Sequence, residues 1–237
     1  MKWFPFFRKN PRRSERAGRY QQLRKAGREL NAVLAKQVPK TAIGECGKKL
    51  GIYKAGNLIL NNDDEIAILF DYAIHHYRRG GKTVIERYLE QSPPEPGSDA
   101  ATLLQAMQQS RYSVFRVVEI EPNQGARLHD LLRGDSLDLM DLGLAATGTP
   151  GVVLAGMVLP LDDFHISSGS LIPLPEGVFE EKILPVADKF MAADADGTRP
   201  VLSPAQAASF AAQVIRIALY AGGEDNTFYT DIEPSYD

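Results

Sequence analysis

The sequence predicts an α+β protein: a helical N-terminal part, a small five-stranded SH3-like or OB-like β-barrel, and helices closing the C-terminus. Three observations carry that expectation. Up to residue 109 the apolar residues follow helical spacing, and capping residues open most of the segments. From Arg111 to Leu174 the chain switches to five short β-rich runs parted by turn residues. After Pro175 helical spacing returns. With 237 residues, 44% hydrophobic and 24% charged, the chain can bury a sizeable core.

The elements follow in order. Residues 1–13 are broken by Pro5 and Pro11. From Ser14 to about Gln37, Tyr20, Leu23, Gly27, Leu30 and Leu34 step by three and four, which places them on one helix face. Pro39 ends that helix, and Thr41 is expected to cap a short one reaching Leu50, with Gly51 beyond it. "GIYKAGNLILNN" reads as a hairpin or extended loop around Ala55 and Gly56. Asn62 or Asp63 then opens a helix to Arg79, closed by Gly80-Gly81, with Phe70, Ala73, Ile74 and Tyr77 facing the core. Thr83 and Glu86 form a capping box for the next helix, and Ser98 or Asp99 caps another after the Pro-rich connector "SPPEPGSD". The runs "RYSVFRVVEIEP", "ARLHDLL", "SLDLMDLGL", "GVVLAGMVLPL" and "FHISSGSLIPL" are expected to form a meander that closes into a barrel, which removes exposed edges. Val178, Phe179, Ile183, Val186, Ala187 and Phe190 form a further helical stripe, and Ser203-Pro204 with Gln206 starts the last helix. The expected segments are therefore 1–37, 38–110, 111–175, 176–223 and a polar acidic tail, 224–237.

Charge divides unevenly. Residues 1–36 carry eleven Lys/Arg and two Glu, a balance of +9, whereas the other 201 residues carry 16 basic and 28 acidic groups, a balance of −12. A basic arm on an acidic body points to a polyanionic partner. The single cysteine, Cys46, excludes an intrachain disulfide and leaves any zinc site dependent on His and carboxylates. No apolar run approaches the roughly 18–20 residues of a membrane span. "MKWFPFFRKN" lacks the layout of a secretory leader, so a cytoplasmic location is expected.

Three stretches carry a resemblance: Asp64–Glu90, Leu103–Asp135, and "LAGMVLPL" with "SGSLIPLP" within Leu154–Pro175. Together they resemble uncharacterised bacterial cytoplasmic proteins, some of which carry a C-terminal zinc motif of the SecA C-terminal (SEC-C) type. The resemblance implies a helical part joined to a β-barrel and implies no reaction. The zinc motif needs C-terminal cysteines, and none follows Cys46.

The leading functional expectation is a non-enzymatic binding or adaptor protein that engages RNA, a ribonucleoprotein or a protein partner through its basic arm and barrel. Arg8, Lys9, Arg12 and Arg13, then Arg16, Arg19, Arg24, Lys25 and Arg28, supply the cations, with Trp3 and three phenylalanines ahead of them for stacking. The same residues could lie on an anionic membrane surface, pair with the acidic body, or seat a second subunit. The enzymatic alternative is a metal-assisted hydrolase using Asp71 and His75, four residues apart on one helix flank, with a third ligand or a substrate from elsewhere. His75 and His76 diverge and cannot easily share a metal. The bland counterpart of Asp71–His75 is a solvent-facing ion pair near a helix end. No cofactor is expected. "ATGTPGVVLAG" leads into a strand, unlike a phosphate loop, and "DADG" (194–197) lacks the ligand spacing of a calcium loop. "RGD" at Arg133 reads as a hairpin turn, and "SSGS" (167–170) lacks the nucleophile-elbow glycines.

Overall fold

The computed structural model describes residues 11–192 and 200–222, with side chains from Glu15 onward. Trp3, Arg8, Lys9, the "DADG" stretch and the acidic tail lie outside the described residues, as do the side chains of Arg12 and Arg13.

Helix α1 (Pro11–Lys36) buries the face its spacing predicts. Tyr20, Leu23, Leu30 and Leu34 are in the core, and Gly27 lets Leu103 of α5 approach. Helix α2 (Lys40–Leu50) begins at Lys40, with Pro39 at its N-cap and no side-chain cap, so Thr41 lies inside the helix instead of capping it. Pro39 already fixes the extended entry that a cap residue needs. Gly51 ends α2 in the left-handed region at φ 83°, as expected. Ala55 and Gly56, both at positive φ, join the two-residue strands β1 (Tyr53–Lys54) and β2 (Asn57–Leu58).

Helix α3 (Asp63–His76) opens on Asn62, whose side chain accepts from the Asp64 and Glu65 amides. It ends three residues short of the expected Arg79: Tyr77 is extended, and Arg79 pairs with Lys82 across a turn formed by Gly80 and Gly81 at φ 60° and 81°. Two successive positive φ values specify a type I′ turn, so the glycine pair makes a tight reversal, not a helix stop. Helices α4 (Val84–Gln91) and α5 (Asp99–Gln108) start at the Thr83–Glu86 capping box and at Ser98.

The barrel strands are β3 (Arg111–Glu121), β4 (Gly125–Asp130), β5 (Ser136–Met140), β6 (Val153–Pro160) and β7 (His165–Leu174). They close in the order β3-β4-β5-β7-β6, with β7 parallel to β5 and β6 back against β3. The expected meander is therefore corrected to a crossed connection. Its cause is local. The run "SLDLMDLGL" stops being a strand at Met140, because Asp141 accepts from the Leu144 amide and caps α6 (Leu142–Thr147). That helix carries the chain across the barrel end, with Leu144 buried among the interior residues, and delivers β6 beside β3 instead of β5. A helix between the third and fourth strands, and a parallel third-fifth pair, make this an OB-type barrel and not an SH3-like one.

Strand alternation builds two apolar clusters. Phe115, Val117, Leu128, Leu139, Leu154 and Leu171 fill the barrel. Val114, Met157, Ile166, Ile172 and Leu174 point outward into a larger cluster shared with the helices. The π-helical turn Phe179–Ile183 runs into α7 (Leu184–Phe190), and α8 (Pro204–Tyr220), opened by the Ser203–Gln206 capping box, packs on α2, α3, α7 and the barrel. The outer face of β4 and β5 stays open: Arg127, Ser136 and Asp138 are exposed.

Candidate functional site

The end of α3, the start of α4, the junction of α5 with β3 and the β4–β5 turn surround a cleft of about 810 Å³. Its floor is apolar, with Ile85, Met107, Leu132, Met157 and Phe210. Into it also come His75, His76, Ser110, Arg111 and Tyr112. Connected helices explain the position: α3 must be buried on several sides to pack between α2, α8 and β7, so its last turn brings both histidines under the barrel.

Asp71 and His75 are thus not the solvent-facing pair that helix geometry alone suggests. The His75 side chain keeps 2% of its surface and the Asp71 side chain 18%. His75 Nε2 lies 3.7 Å from Asp71 Oδ1. Asp71 Oδ2 accepts from the Ser168 hydroxyl at 2.8 Å. On the far side of the imidazole, Nδ1 lies 3.3 Å from Ser110 Oγ. The Ser110 hydroxyl donates to the Met107 carbonyl at 2.7 Å, and the Ser110 amide reaches the same carbonyl at 3.3 Å. Carboxylate, imidazole and hydroxyl therefore stand in line, with Asp71 behind His75 and the serine at the cleft.

His76 turns away from this line, as expected, and lies between Tyr72 and Tyr112, with ring centroids 5.1 and 6.4 Å away. Burial sets the protonation states. It lowers His75, against the opposing attraction of Asp71. It takes His76 down to about 3, helped by His75, Arg78 and Lys49. It raises Asp71, opposed by His75 and by the Ser168 hydrogen bond. It raises the Tyr112 phenol, reinforced by Asp71, so the hydroxyl stays a donor. The formal charges at the cleft are mostly matched within the protein. Arg78 pairs with Glu86 at 3.0 Å, and Arg111 pairs with Asp135 at 2.8 Å and with the buried Asp130 at 3.3 Å. Among the described residues eight buried side-chain atoms make no hydrogen bond, and four of them belong to residues lining this cleft: His75 Nε2, which faces Asp71 at 3.7 Å, and His76 Nε2, Tyr112 Oη and Arg111 Nε. A native interior satisfies nearly all its polar atoms, so the three beside the cleft that face no partner, on His76, Tyr112 and Arg111, single it out as the candidate site.

The cations of α1 go elsewhere. Arg16 holds Asp163 at 2.7 Å and lies over the Phe164 ring. Arg19 is paired with Asp99. Arg24 reaches the Ser167 carbonyl at 3.5 Å, and its charge acts on Asp141. Lys25 and Arg28 are exposed. The open barrel face carries Arg116 and Arg127 beside Glu119 and Asp138, with no aromatic side chain among its exposed residues. Among the described residues no three His, Cys, Asp or Glu side chains gather to hold a metal.

Ser110 and Tyr112 escaped sequence reading, and Ser168 enters it only as part of "SSGS", with no link to Asp71. Ser110 looks like a residue between a helix and a strand, and Tyr112 like one strand residue among many. The contact Ser110–His75 spans 35 positions and Ser168–Asp71 spans 97.

No helix among the described residues is long and apolar enough to cross a membrane. No curated protein and no solved structure matches the chain. Residues 14–200, which take in the whole barrel and most of the helical part, match one family model, and the chain belongs to that family, a family of unknown function (DUF7986).

Proposed function

We propose that this is a binding protein of the cytoplasm whose small-molecule ligand seats in the cleft between the helical layer and the barrel. The observation that carries the reading is the set of three buried polar atoms without hydrogen bonds, on His76, Tyr112 and Arg111, beside an apolar floor. A ligand with an apolar body and a hydrogen-bonding end satisfies both. A fragment library screened by thermal shift tests the reading. Stabilising fragments are expected, with the shift lost in Tyr112→Phe and in His76→Phe. A library that leaves the melting temperature unmoved, or hits indifferent to both substitutions, overturns it.

A second surface is favoured by the charge split. With Arg16, Arg19 and Arg24 engaged by the body, the reading of an RNA, ribonucleoprotein or protein partner rests on Lys2, Arg8, Lys9, Arg12 and Arg13 with Trp3, and on exposed Lys25. Charge reversal within residues 2–13 spares the core face of α1. It is expected to abolish salt-sensitive binding to a single-stranded RNA homopolymer. If the intact protein shows no such binding at about 50 mM salt, the polyanion form fails. Sedimentation with anionic vesicles reads the membrane-surface form in the same way.

A further inference from the structure

We propose that Ser110 is a nucleophile, with His75 as its general base and Asp71 as the positioning carboxylate, and that the cleft takes apolar esters or related acyl compounds. The proposal rests on the cleft being a small-molecule site and goes beyond it to a reaction. The sequence suggested Asp71 and His75 as part of a metal-assisted site with a third ligand or a substrate from elsewhere, whereas the described residues gather no metal-holding cluster. The third group is the serine on the other side of the imidazole.

Geometry comes first. Ser110 Oγ is 3.3 Å from His75 Nδ1, and His75 Nε2 is 3.7 Å from Asp71 Oδ1. Both spacings are looser than a tight hydrogen bond, as such contacts are before a substrate is bound. Ser168, bonded to the other Asp71 oxygen at 2.8 Å, fixes the carboxyl group. Ser110 and His75 line the cleft while Asp71 does not, so substrate meets the hydroxyl and the imidazole and leaves the carboxylate shielded. The hydroxyl proton points at the Met107 carbonyl. Rotation about the Cβ–Oγ bond swings it to Nδ1 without moving the oxygen, and the Ser110 amide keeps the carbonyl bonded. His75, kept neutral by burial, has a lone pair to receive it.

The atoms balance as follows. Ser110 Oγ bonds to the acyl carbon while its proton passes to His75 Nδ1. The carbonyl oxygen becomes an oxyanion. The bond to the leaving oxygen breaks, and that oxygen takes the proton from Nδ1. Water then attacks the acyl-serine, giving a proton to His75, which returns it to Ser110 Oγ as the acid departs. Asp71 holds the ring and offsets its transient positive charge. Tyr112 is the candidate oxyanion donor: it stands in β3 two residues along from Ser110, and both line the same cleft. Its hydroxyl is buried and makes no hydrogen bond. Ile85, Met107, Met157 and Phe210 form the apolar wall that selects the acyl chain.

The test is to incubate the full chain with an alkyl fluorophosphonate probe at about pH 8, map the adduct by peptide mass spectrometry, and follow p-nitrophenyl acetate hydrolysis in parallel. A single adduct on Ser110 is expected. Labelling should be abolished in Ser110→Ala, slowed about 100-fold or more in His75→Gln, and slowed about tenfold in Tyr112→Phe, each checked for a native melting transition. In Asp71→Asn the labelling rate should fall and its pH profile should shift, which a merely structural role would not produce. The titratable group facing His75 there is Asp71 of its own helix, at 3.7 Å, and the adjacent His76 is coupled to it by charge. Wild-type protein that neither labels at Ser110 nor turns over the ester overturns the proposal, as does labelling that persists at the wild-type rate in His75→Gln. If fragments bind in a Tyr112-dependent way while Ser110 stays inert, only the reaction falls and the binding reading stands. Ser110 is then a helix-end hydroxyl satisfying Met107.

Discussion

Gly125 shows how one residue can be dictated by a distant one. Its φ is 153°, and a Cβ there would lie 1.8 Å from the Leu139 carbonyl oxygen on the paired strand. Gly134 also has positive φ, at 77°, but faces open space. Gly125→Ala is therefore expected to lose more than about 2 kcal/mol, combining strain with a backbone clash, and Gly134→Ala about 1 kcal/mol; urea unfolding separates them. His76 carries a second residue-scale prediction. In the unfolded chain it titrates near 6.5, and in the folded protein burial takes it down to about 3. Below pH 6.5 the unfolded chain gains a proton that the folded one refuses. Stability contributed by neutral His76 is thus complete above about pH 6.5 and declines as pH falls, by up to about 1.4 kcal/mol per pH unit. Asp71 acts in the opposite direction, because its raised folded value makes it cost stability as pH rises past 3.8. His76→Phe keeps Asp71 and removes the histidine slope. Melting temperatures of the two proteins between pH 7 and 4.5 are expected to converge or cross as pH drops, and parallel curves would refute the account.

At the scale of elements, α1 changes meaning most. By charge it is an arm; by packing it is part of the core. Leu23 is 1% exposed and Leu34 fully buried. Leu23→Ala is expected to cost about 2–5 kcal/mol. Arg16→Ala removes a surface ion pair and is expected to cost under about 1 kcal/mol. Chemical denaturation of both variants measures the contrast, and equal losses would mean that the helix is held by charge. The element boundaries read from the sequence divide by cause. Asn62, Thr83 with Glu86, Ser98 and Ser203 with Gln206 cap as expected, since each cap is satisfied within three residues. The end of α3 and the break at Met140 were misread because each competes with an equally good local alternative. Gly80-Gly81 can stop a helix or turn a hairpin, and Asp141 can sit in a strand or cap a helix.

At the scale of the whole molecule, one apolar cluster runs from α1 through α3, α5 and α8 to the outer side of the barrel. The helical layer and the barrel are therefore expected to unfold together. Far-UV circular dichroism, weighted to the helices, and near-UV tyrosine signals should give coincident denaturant midpoints. Separate transitions would mean that the shared cluster couples them weakly. The same sharing makes the candidate site: its imidazole comes from a helix, its hydroxyl from a helix–strand junction, and the serine behind its carboxylate from the fifth barrel strand.

By itself the sequence determined the class of fold, the number of strands in the barrel, the buried face of α1, the starts of α3, α4, α5 and α8, and the suspicion attached to Asp71 and His75. These depend on spacing and caps, which act over a few residues. Only the tertiary structure decided the OB-type strand order, the burial of the Asp71–His75 pair, the engagement of Arg16, Arg19 and Arg24, and the partners Ser110 and Ser168. The reason is physical. Periodicity says which side of a helix avoids water, but not which strand will cover it. A contact between residues 35 or 97 positions apart exists only once the barrel has closed against the helices.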